Sequence, residues 1–147
     1  MTKRTKVLFV CVGNTCRSQM AEALARHLAS DVIEPSSAGL SPFGRIVDTT
    51  RRILLERGLN VDGQYSKGLR ETPLDGVTLV VNMSGIPGKA LFGPPMRVID
   101  WEVDDPYGED LATYRRICEQ IEEHIVELAE ELRHANWPND LSKQERR

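Results

Sequence analysis

The sequence predicts an α/β fold in which helices cover both faces of a parallel sheet, giving three α/β/α layers. Short apolar runs rich in β-branched residues alternate along the chain with segments of helical periodicity. The first of these runs, Lys6–Val10, passes through a tight glycine-containing loop directly into a helix. In folds of this class, the active residues lie on loops that leave the carboxyl ends of the strands.

The first half of the chain supplies two strands and two helices. Lys6–Val10 is continuously apolar after its first residue, as expected for a strand buried on both faces, and a second strand is predicted near Val32–Ser36. Ser18–Ala29 has its apolar residues on one side and charged residues on the other, which predicts a helix. A second helix is predicted over Val47–Arg57, with Gly58 placed to end it.

The second half supplies the remaining layers. Val77–Met83 repeats the buried-strand pattern, Ile86–Phe92 predicts a short helix, and Met96–Ile99 predicts a last strand. An acidic loop, Trp101–Glu109, follows that strand. The long helix that comes next carries one apolar stripe, formed by Leu111, Tyr114, Cys118, Ile121, Ile125, Leu128 and Leu132.

Length and charge predict one domain, residues 1–136, followed by a polar tail over residues 137–147. The formal net charge of −3 gives no reason to expect nucleic acid or an anionic membrane as a partner. The apolar run behind the basic N-terminus is too short for a signal peptide. Three cysteines without an export signal are typical of reduced thiols, so a cytoplasmic location is predicted.

The segment Cys-Val-Gly-Asn-Thr-Cys-Arg-Ser, residues 11–18, carries the predicted chemistry. It joins a buried strand to a helix, so its backbone N–H groups converge where the helix N-terminus also places positive potential. Gly13 and Asn14 readily adopt the left-handed backbone angles that wrapping around a phosphate requires. We predict that phosphate or another oxyanion is bound by Val12, Gly13, Asn14, Thr15, Cys16 and Ser18.

Three side chains of this segment are predicted to take part in catalysis. The positive field favours a thiolate at Cys11, which would then be a nucleophile without a histidine base. Arg17 can hold two oxygens of the anion with its planar fork, and Ser18 can donate to the Cys11 sulfur. The Gly-Lys-Ser/Thr ending of nucleotide-binding loops is missing, and the residues predict neither a metal nor a cofactor.

The acidic loop supplies the proton donor that a leaving oxygen needs. Asp104 and Asp105 are both candidates, and we prefer Asp105 because the following proline restrains it.

The run from Val10 to Ser18 closely resembles the signature of the low-molecular-weight protein tyrosine phosphatases, whose superfamily includes arsenate reductases and protein-arginine phosphatases. Asp105-Pro106-Tyr107 resembles the late general-acid motif of that family, and Ser37-Ala38-Gly39 resembles the segment after its second strand. The order of elements is also similar from about residue 6 to about residue 134.

The resemblance implies a role for five residues. Cys11 would be the nucleophile, Arg17 the transition-state clamp and Asp105 the acid and then the base, while Asn14 and Ser18 would organise the loop. It also implies a four-stranded parallel sheet in the order 2-1-3-4, with the phosphate-binding loop after strand 1.

The substrate cleft departs from the family pattern in part. The resemblance places Phe43 and Tyr107 as aromatic walls, although the loop around Phe43 diverges. Gln19 stands where proline is usual, and Met83-Ser84 lacks the acidic residue often found after the third strand. These departures leave substrate preference open.

Three reactions are considered. The leading hypothesis is hydrolysis of protein phosphotyrosine through a thiophosphate intermediate, with a phosphorylated protein as partner. Phosphoarginine hydrolysis is the alternative, because the protein-arginine phosphatases are similar at Thr15. Arsenate reduction is the third, but Asn82–Pro95 holds no cysteine for an internal electron relay, so thiol reductants would have to be external partners.

The sequence leaves two roles open for Cys16 and indicates a packing role for Cys118. Cys16 is either a packing residue or a partner for a protective disulfide with Cys11. Cys118 lies on the apolar stripe, where a small buried side chain is the ordinary occupant.

Overall fold

The computed structural model describes residues 3–135 and contains one parallel sheet in the order β2-β1-β3-β4. Its strands are β1 (Thr5–Cys11), β2 (Ile33–Gly39), β3 (Val77–Asn82) and β4 (Arg97–Asp100). The predicted α/β class and the 2-1-3-4 order are therefore confirmed. The predicted polar tail, residues 137–147, lies outside the described residues.

Four helices flank the sheet: α1 (Arg17–Leu28), α2 (Asp48–Glu56), α3 (Gly88–Leu91) and α4 (Leu111–His134). Each lies within about two residues of its predicted bounds. No helix within residues 3–135 is long and apolar enough to cross a membrane.

Strand β1 separates two unequal apolar cores, because successive side chains of a strand point to opposite faces. Val7 and Phe9 belong to the larger core, which also contains buried residues of α1, α2 and α4. Leu8 and Val10 belong to the smaller one, which includes Phe92 at the end of α3. All four side chains are fully buried, which explains the continuous apolar run.

Helix α4 begins at a side-chain cap and lies along the larger core. The Asp110 carboxylate accepts a hydrogen bond from Thr113 N at 2.9 Å, which satisfies one of the free N–H groups at the helix start. Most of the predicted stripe is buried, including Tyr114, Cys118 and Ile121.

The strand registers align the carboxyl ends of all four strands. Cys11 pairs with Gly39, Val10 with Asn82, and Asn82 with Asp100. The loops that follow the strands therefore begin at the same edge of the sheet, and this edge is where the predicted site residues lie.

Candidate active site

Residues 11–18, here called the oxyanion loop, are anchored by their carbonyl groups. The carbonyls of Cys11 and Gly13 accept hydrogen bonds from backbone N–H groups after β2, at 3.1 and 2.8 Å. From residue 11 to residue 16, the carbonyls accept from Leu40 N, Ser41 N, Phe43 N, the Gln19 amide, the Thr50 hydroxyl and Met20 N. In a trans peptide the N–H points opposite to the carbonyl. The intervening N–H groups therefore turn toward the other side of the loop, where a tetrahedral oxyanion can use them.

Asn14 turns the loop. It is fully buried and has a φ of 50°, a left-handed conformation that Asn adopts more readily than most residues. Gly13, which we expected to share that conformation, does not have a positive φ. One left-handed residue therefore turns the loop.

Gly39 at the end of β2 allows a close approach of this turn. A Cβ atom at that position would lie 2.6 Å from the carbonyl oxygen of Val12 and 2.9 Å from Asn14 N. A larger residue than glycine at the end of the Ser-Ala-Gly segment would therefore clash with the backbone of the loop.

Ser18 donates its hydroxyl hydrogen to the sulfur of Cys11. The backbone N–H of Lys67 donates to Asn14 Oδ1 at 2.9 Å, which determines the orientation of the Asn14 amide. Asn14 Nδ2 therefore donates to Ser18 Oγ at 2.7 Å, and the Ser18 hydrogen is left for Cys11 Sγ at 2.9 Å. This hydrogen bond favours the anionic sulfur that nucleophilic attack requires.

Arg17 is buried, and one of its three nitrogens, Nε, makes no hydrogen bond to the described residues. Its Nη1 donates to the carbonyls of Met83 and Val103, the latter at 3.0 Å, and these lie after β3 and β4. Its Nε is buried without a hydrogen-bond partner in residues 3–135. A buried unsatisfied donor is costly, so an oxyanion held above the loop would satisfy a group that the protein leaves unpaired.

Asp105 reaches the same place from the loop after β4. Its Oδ2 lies 3.6 Å from Arg17 Nη2, and its Oδ1 accepts from Tyr107 N at 3.1 Å. The side chain is 52% exposed, so it can exchange protons with water. Asp104 does not line the cavity described next, which favours Asp105 as the acid.

These groups line a cavity of about 210 Å³. Phe43 and Tyr107 form its rim, with ring centroids 5.4 Å apart and planes tilted by 58°. Both rings are about half exposed, as aromatic walls of an open cleft would be. The full lining is Cys11, Val12, Gly13, Thr15, Cys16, Arg17, Ser41, Phe43, Asp105 and Tyr107.

Thr15 connects the oxyanion loop to the segment that carries Phe43. Its hydroxyl donates to the Arg45 carbonyl at 2.6 Å and accepts from Val47 N at 3.0 Å. Only 6% of Thr15 is exposed. A residue without a hydroxyl could not make these two bonds, so Thr15 helps to set the position of the cleft wall.

The two other thiols are less suited to nucleophilic attack. Burial raises the pKa of Cys16, whose sulfur lies 3.4 Å from the Tyr114 hydroxyl. Burial also raises the pKa of Cys118 to about 11, and that side chain is fully buried on α4. Both remain protonated near neutral pH.

Sequence reasoning missed a set of polar residues behind the loop. Gln19 appeared only as a departure from a motif, yet it donates to the Asn14 carbonyl at 3.1 Å. Ser37 accepts from Asn14 Nδ2 at 3.0 Å, and the Ser-Ala-Gly resemblance was the only signal for it. Gln64 donates to Gln19 from a distant segment, and nothing in its local sequence indicates this.

The chain is similar to arsenate reductases and to an arginine phosphatase. It is 34% identical over 128 residues to a glutaredoxin arsenate reductase from Synechocystis sp., covering 84% of this chain and 95% of that protein. An arsenate reductase structure from Archaeoglobus fulgidus superposes with a TM-score of 0.74 at 35% identity, covering 85% and 99%. The YwlE arginine phosphatase from Geobacillus stearothermophilus superposes with a TM-score of 0.71 at 28% identity, covering 88% and 93%.

The expectation that this chain hydrolyses protein phosphotyrosine is wrong, because its relatives at 34 and 35% identity are arsenate reductases. The error has a physical origin. The loop motif is suited to any tetrahedral oxyanion, and arsenate has the same shape and charge as phosphate. The coarser expectation, a cysteine-based enzyme of this superfamily, is confirmed.

A family model agrees with the geometry. The model for low molecular weight phosphotyrosine protein phosphatases matches residues 6–137, which include all of the sheet except Thr5, the oxyanion loop and the loop of Asp105. This match confirms the resemblance noted in the sequence. The chain belongs to the low molecular weight phosphotyrosine protein phosphatase family.

Proposed function

We propose that this protein reduces arsenate to arsenite, with Cys11 as nucleophile and an external thiol as electron donor. The observation that carries the proposal is the cavity lined by Cys11 and by Arg17, whose buried Nε has no hydrogen-bond partner within residues 3–135. Arsenate fits such a site as a tetrahedral oxyanion. The arsenate reductases at 34 and 35% identity support the choice of arsenic over phosphorus.

The first step forms a covalent adduct. The Cys11 sulfur attacks arsenic, one As–O bond breaks, and Asp105 gives a proton to the departing oxygen so that water leaves. Arsenic stays in the +5 state in this adduct. Arg17 and the loop N–H groups stabilise the charge on the remaining oxygens.

The second step transfers two electrons. An external thiolate attacks the Cys11 sulfur, a mixed disulfide forms, and arsenic leaves as arsenite with the electron pair of the S–As bond. A second external thiol then displaces Cys11 and completes the donor disulfide. Two thiols are oxidised and one arsenic is reduced.

The donor is external because the chain offers no suitable internal thiol. Cys16 and Cys118 have raised pKa values, and the segment Asn82–Pro95, which follows β3, contains no cysteine. The name of the Synechocystis relative includes glutaredoxin, which supports a glutathione-linked donor. Three free thiols and a thiol donor also suit the cytoplasm, which we propose as the location.

The test measures arsenite formed by reduced protein with glutathione and glutaredoxin, with thioredoxin, and without added thiol. We expect turnover with one of the donors and none without a thiol. Cys11→Ser should abolish the reaction, and the matched control Cys118→Ser should keep it. One arsenite per chain without added thiol would contradict the external donor, and no arsenite with any donor would refute the reductase function.

A second candidate is hydrolysis of phosphoarginine on proteins, favoured by the placement of Asp105 and Thr15. Asp105 can protonate the leaving guanidine as the P–N bond breaks, and then activate water against the thiophosphate on Cys11. Thr15, where the protein-arginine phosphatases are similar, links the loop to the Phe43 segment. The likeness to the arginine phosphatase supports this candidate.

One enzyme preparation distinguishes the two candidates. Release of phosphate from a phosphoarginine peptide is measured beside arsenite formation, and the two rates are compared with those of Cys11→Ser. Phosphate release without arsenite formation would refute arsenate reduction and support phosphoarginine hydrolysis. Arsenite formation without phosphate release would support arsenate reduction and refute phosphoarginine hydrolysis.

A further inference from the structure

Six side chains form a closed hydrogen-bonded ring behind the oxyanion loop. The ring, here called the Arg26 ring, starts at Arg26 on α1 and reaches Asn14 through two separate arms. Both arms end on the one residue that turns the loop with a positive φ. In order around the ring, the members are Arg26, Gln64, Gln19, Asn14, Ser37 and Glu22.

The amide arm passes through two glutamines. Arg26 Nη1 donates to Gln64 Oε1 at 2.8 Å, and Gln64 Nε2 donates to Gln19 Oε1 at 2.7 Å. Gln19 Nε2 then lies within hydrogen-bond distance of Asn14 Oδ1 at 3.0 Å, the Asn14 carbonyl at 3.1 Å and the Tyr65 carbonyl at 3.1 Å. Each amide donates toward Asn14 and accepts from the side of Arg26.

The carboxylate arm passes through an acid and a hydroxyl. Arg26 Nη2 donates to Glu22 Oε2 at 2.7 Å, and Ser37 Oγ donates to Glu22 Oε1 at 2.6 Å. Asn14 Nδ2 donates to Ser37 Oγ at 3.0 Å and also to Ser18 at 2.7 Å. The ring thus connects Arg26 to the residue whose hydroxyl contacts the Cys11 sulfur.

The chemistry of the groups leaves only one set of hydrogen-bond directions. A guanidinium can only donate, and an ionised carboxylate can only accept. The Lys67 N–H donates to Asn14 Oδ1, so the Asn14 amide cannot be reversed. Reversing either glutamine would place oxygen against oxygen in the amide arm. Because five members are at most 8% exposed, water cannot readily replace a lost partner.

We propose that Gln64 and Arg26 are positioning residues, which hold the oxyanion loop in its anion-binding shape by acting through Gln19 and Asn14. Neither residue lines the cavity. A buried asparagine in a left-handed conformation persists only where its surroundings determine it, and the ring provides those surroundings. The inference rests on the proposed oxyanion chemistry only through the loop, which both candidate reactions share.

The test variant is Gln64→Glu, which keeps the shape of the side chain and its acceptor for Arg26. A carboxylate cannot donate to Gln19 Oε1 or to the Gln19 carbonyl, which both accept from Gln64 Nε2 in the native chain, so the amide arm breaks between these two residues. We expect orthophosphate, measured by isothermal titration calorimetry, to bind about 5- to 100-fold more weakly, because a buried acceptor loses its donor. Carboxymethylation of Cys11 by iodoacetate should slow in parallel.

The matched control is Gln120→Glu on α4, where the Gln120 amide donates to the Glu102 carbonyl at 3.0 Å. It carries the same change of charge outside the ring, and its phosphate affinity should equal that of the wild type. Equal affinities in Gln64→Glu and Gln120→Glu would overturn the proposal. So would a loss in Gln64→Glu that the unfolded fraction, measured by thermal denaturation, fully accounts for.

Arg26→Met is the second variant. It replaces a side chain that is 49% exposed but leaves the buried Glu22 carboxylate without its cation, so its unfolded fraction is measured by thermal denaturation in the same way. It should weaken phosphate binding at least as much as Gln64→Glu. If both act through one chain of bonds, the double variant should lose less than the product of the two single losses. If the loss of phosphate affinity in the double variant equals the product of the two single losses, the two residues act independently, and the claim that they act through one arm of the ring is overturned. A wild type that binds phosphate but processes neither substrate would refute the proposed function and leave this inference intact.

Discussion

Three side chains near Cys11 have different roles in the proposed chemistry of the site. Ser18 donates to the sulfur, Arg17 presents an unpaired Nε, and Asp105 lies 3.6 Å from the guanidinium on the solvent side. Their separation gives each a different expected effect on binding and on turnover. We expect the loop to bind the anion without Asp105, whereas protonation of a leaving group requires it.

Asp105→Asn should lower kcat by about 100- to 10,000-fold, because the general acid is removed. Orthophosphate affinity should be kept or increase, since a negative charge facing the anion is lost. Steady-state rates and calorimetric titration provide both values. Asp104→Asn is the matched control, and an equal loss of kcat in that variant would contradict the choice of Asp105.

The three cysteines should differ in their reaction with iodoacetamide. At pH 8 we expect labelling of Cys11 alone, because burial raises the pKa of Cys16 and raises that of Cys118 to about 11. A thiol with a raised pKa is protonated below that value, so labelling of the native chain at these positions should increase only as the pH rises toward it. Peptide mass mapping checks this, and rapid labelling of Cys118 at pH 8 would contradict it.

At the scale of elements, the end of β2 limits how close the oxyanion loop can lie to the sheet. The parallel pairing places Gly39 beside Cys11, so any side chain at that position meets the loop backbone. Backbone atoms cannot move aside as a flexible side chain can. This contact ties the stability of β2 to the shape of the site.

Gly39→Ala should destabilise the fold by about 1–3 kcal/mol, because overpacking forces backbone shifts. It should also weaken phosphate binding, since the displaced atoms belong to Val12 and Asn14. Urea denaturation and phosphate titration measure the two effects. Gly93→Ala is the control, because a Cβ there meets nothing within 4 Å. Equal stability of the two variants would show that the Gly39 contact is not limiting.

At the scale of the whole molecule, the site brings together residues that are far apart in the chain. Arg17 on α1 donates to carbonyls after β3 and β4, and Asp105 approaches from the segment before α4. An anion bound there would contact groups held by several elements. Ligand binding should therefore stabilise the entire fold, because the unfolded chain has no such site.

Orthophosphate at one hundred times its Kd should raise the free energy of unfolding by about 2.7 kcal/mol. Arg17→Lys keeps the positive charge but loses the planar fork, so a given phosphate concentration should stabilise it less. Arg45→Lys, whose side chain lies over the Phe43 ring, is the control. Thermal denaturation across phosphate concentrations provides the measurement, and equal stabilisation of both variants would contradict the role of Arg17.

The sequence by itself determined the fold class, the strand order through the family resemblance, and the placement of Cys11, Arg17 and Asp105 on loops at one sheet edge. These features depend on local periodicity and on motifs within a few residues, such as the Cys11–Ser18 run. Only the tertiary structure showed that Gln64 and Ser37 lie near Asn14, that Gly39 allows the close approach of the loop, and that Thr15 bonds to the segment of Phe43. These contacts join segments that are distant in the chain. The motif could not predict the substrate for the same reason. The loop is suited to any tetrahedral oxyanion, whereas specificity depends on side chains that only folding brings to the rim of the cavity.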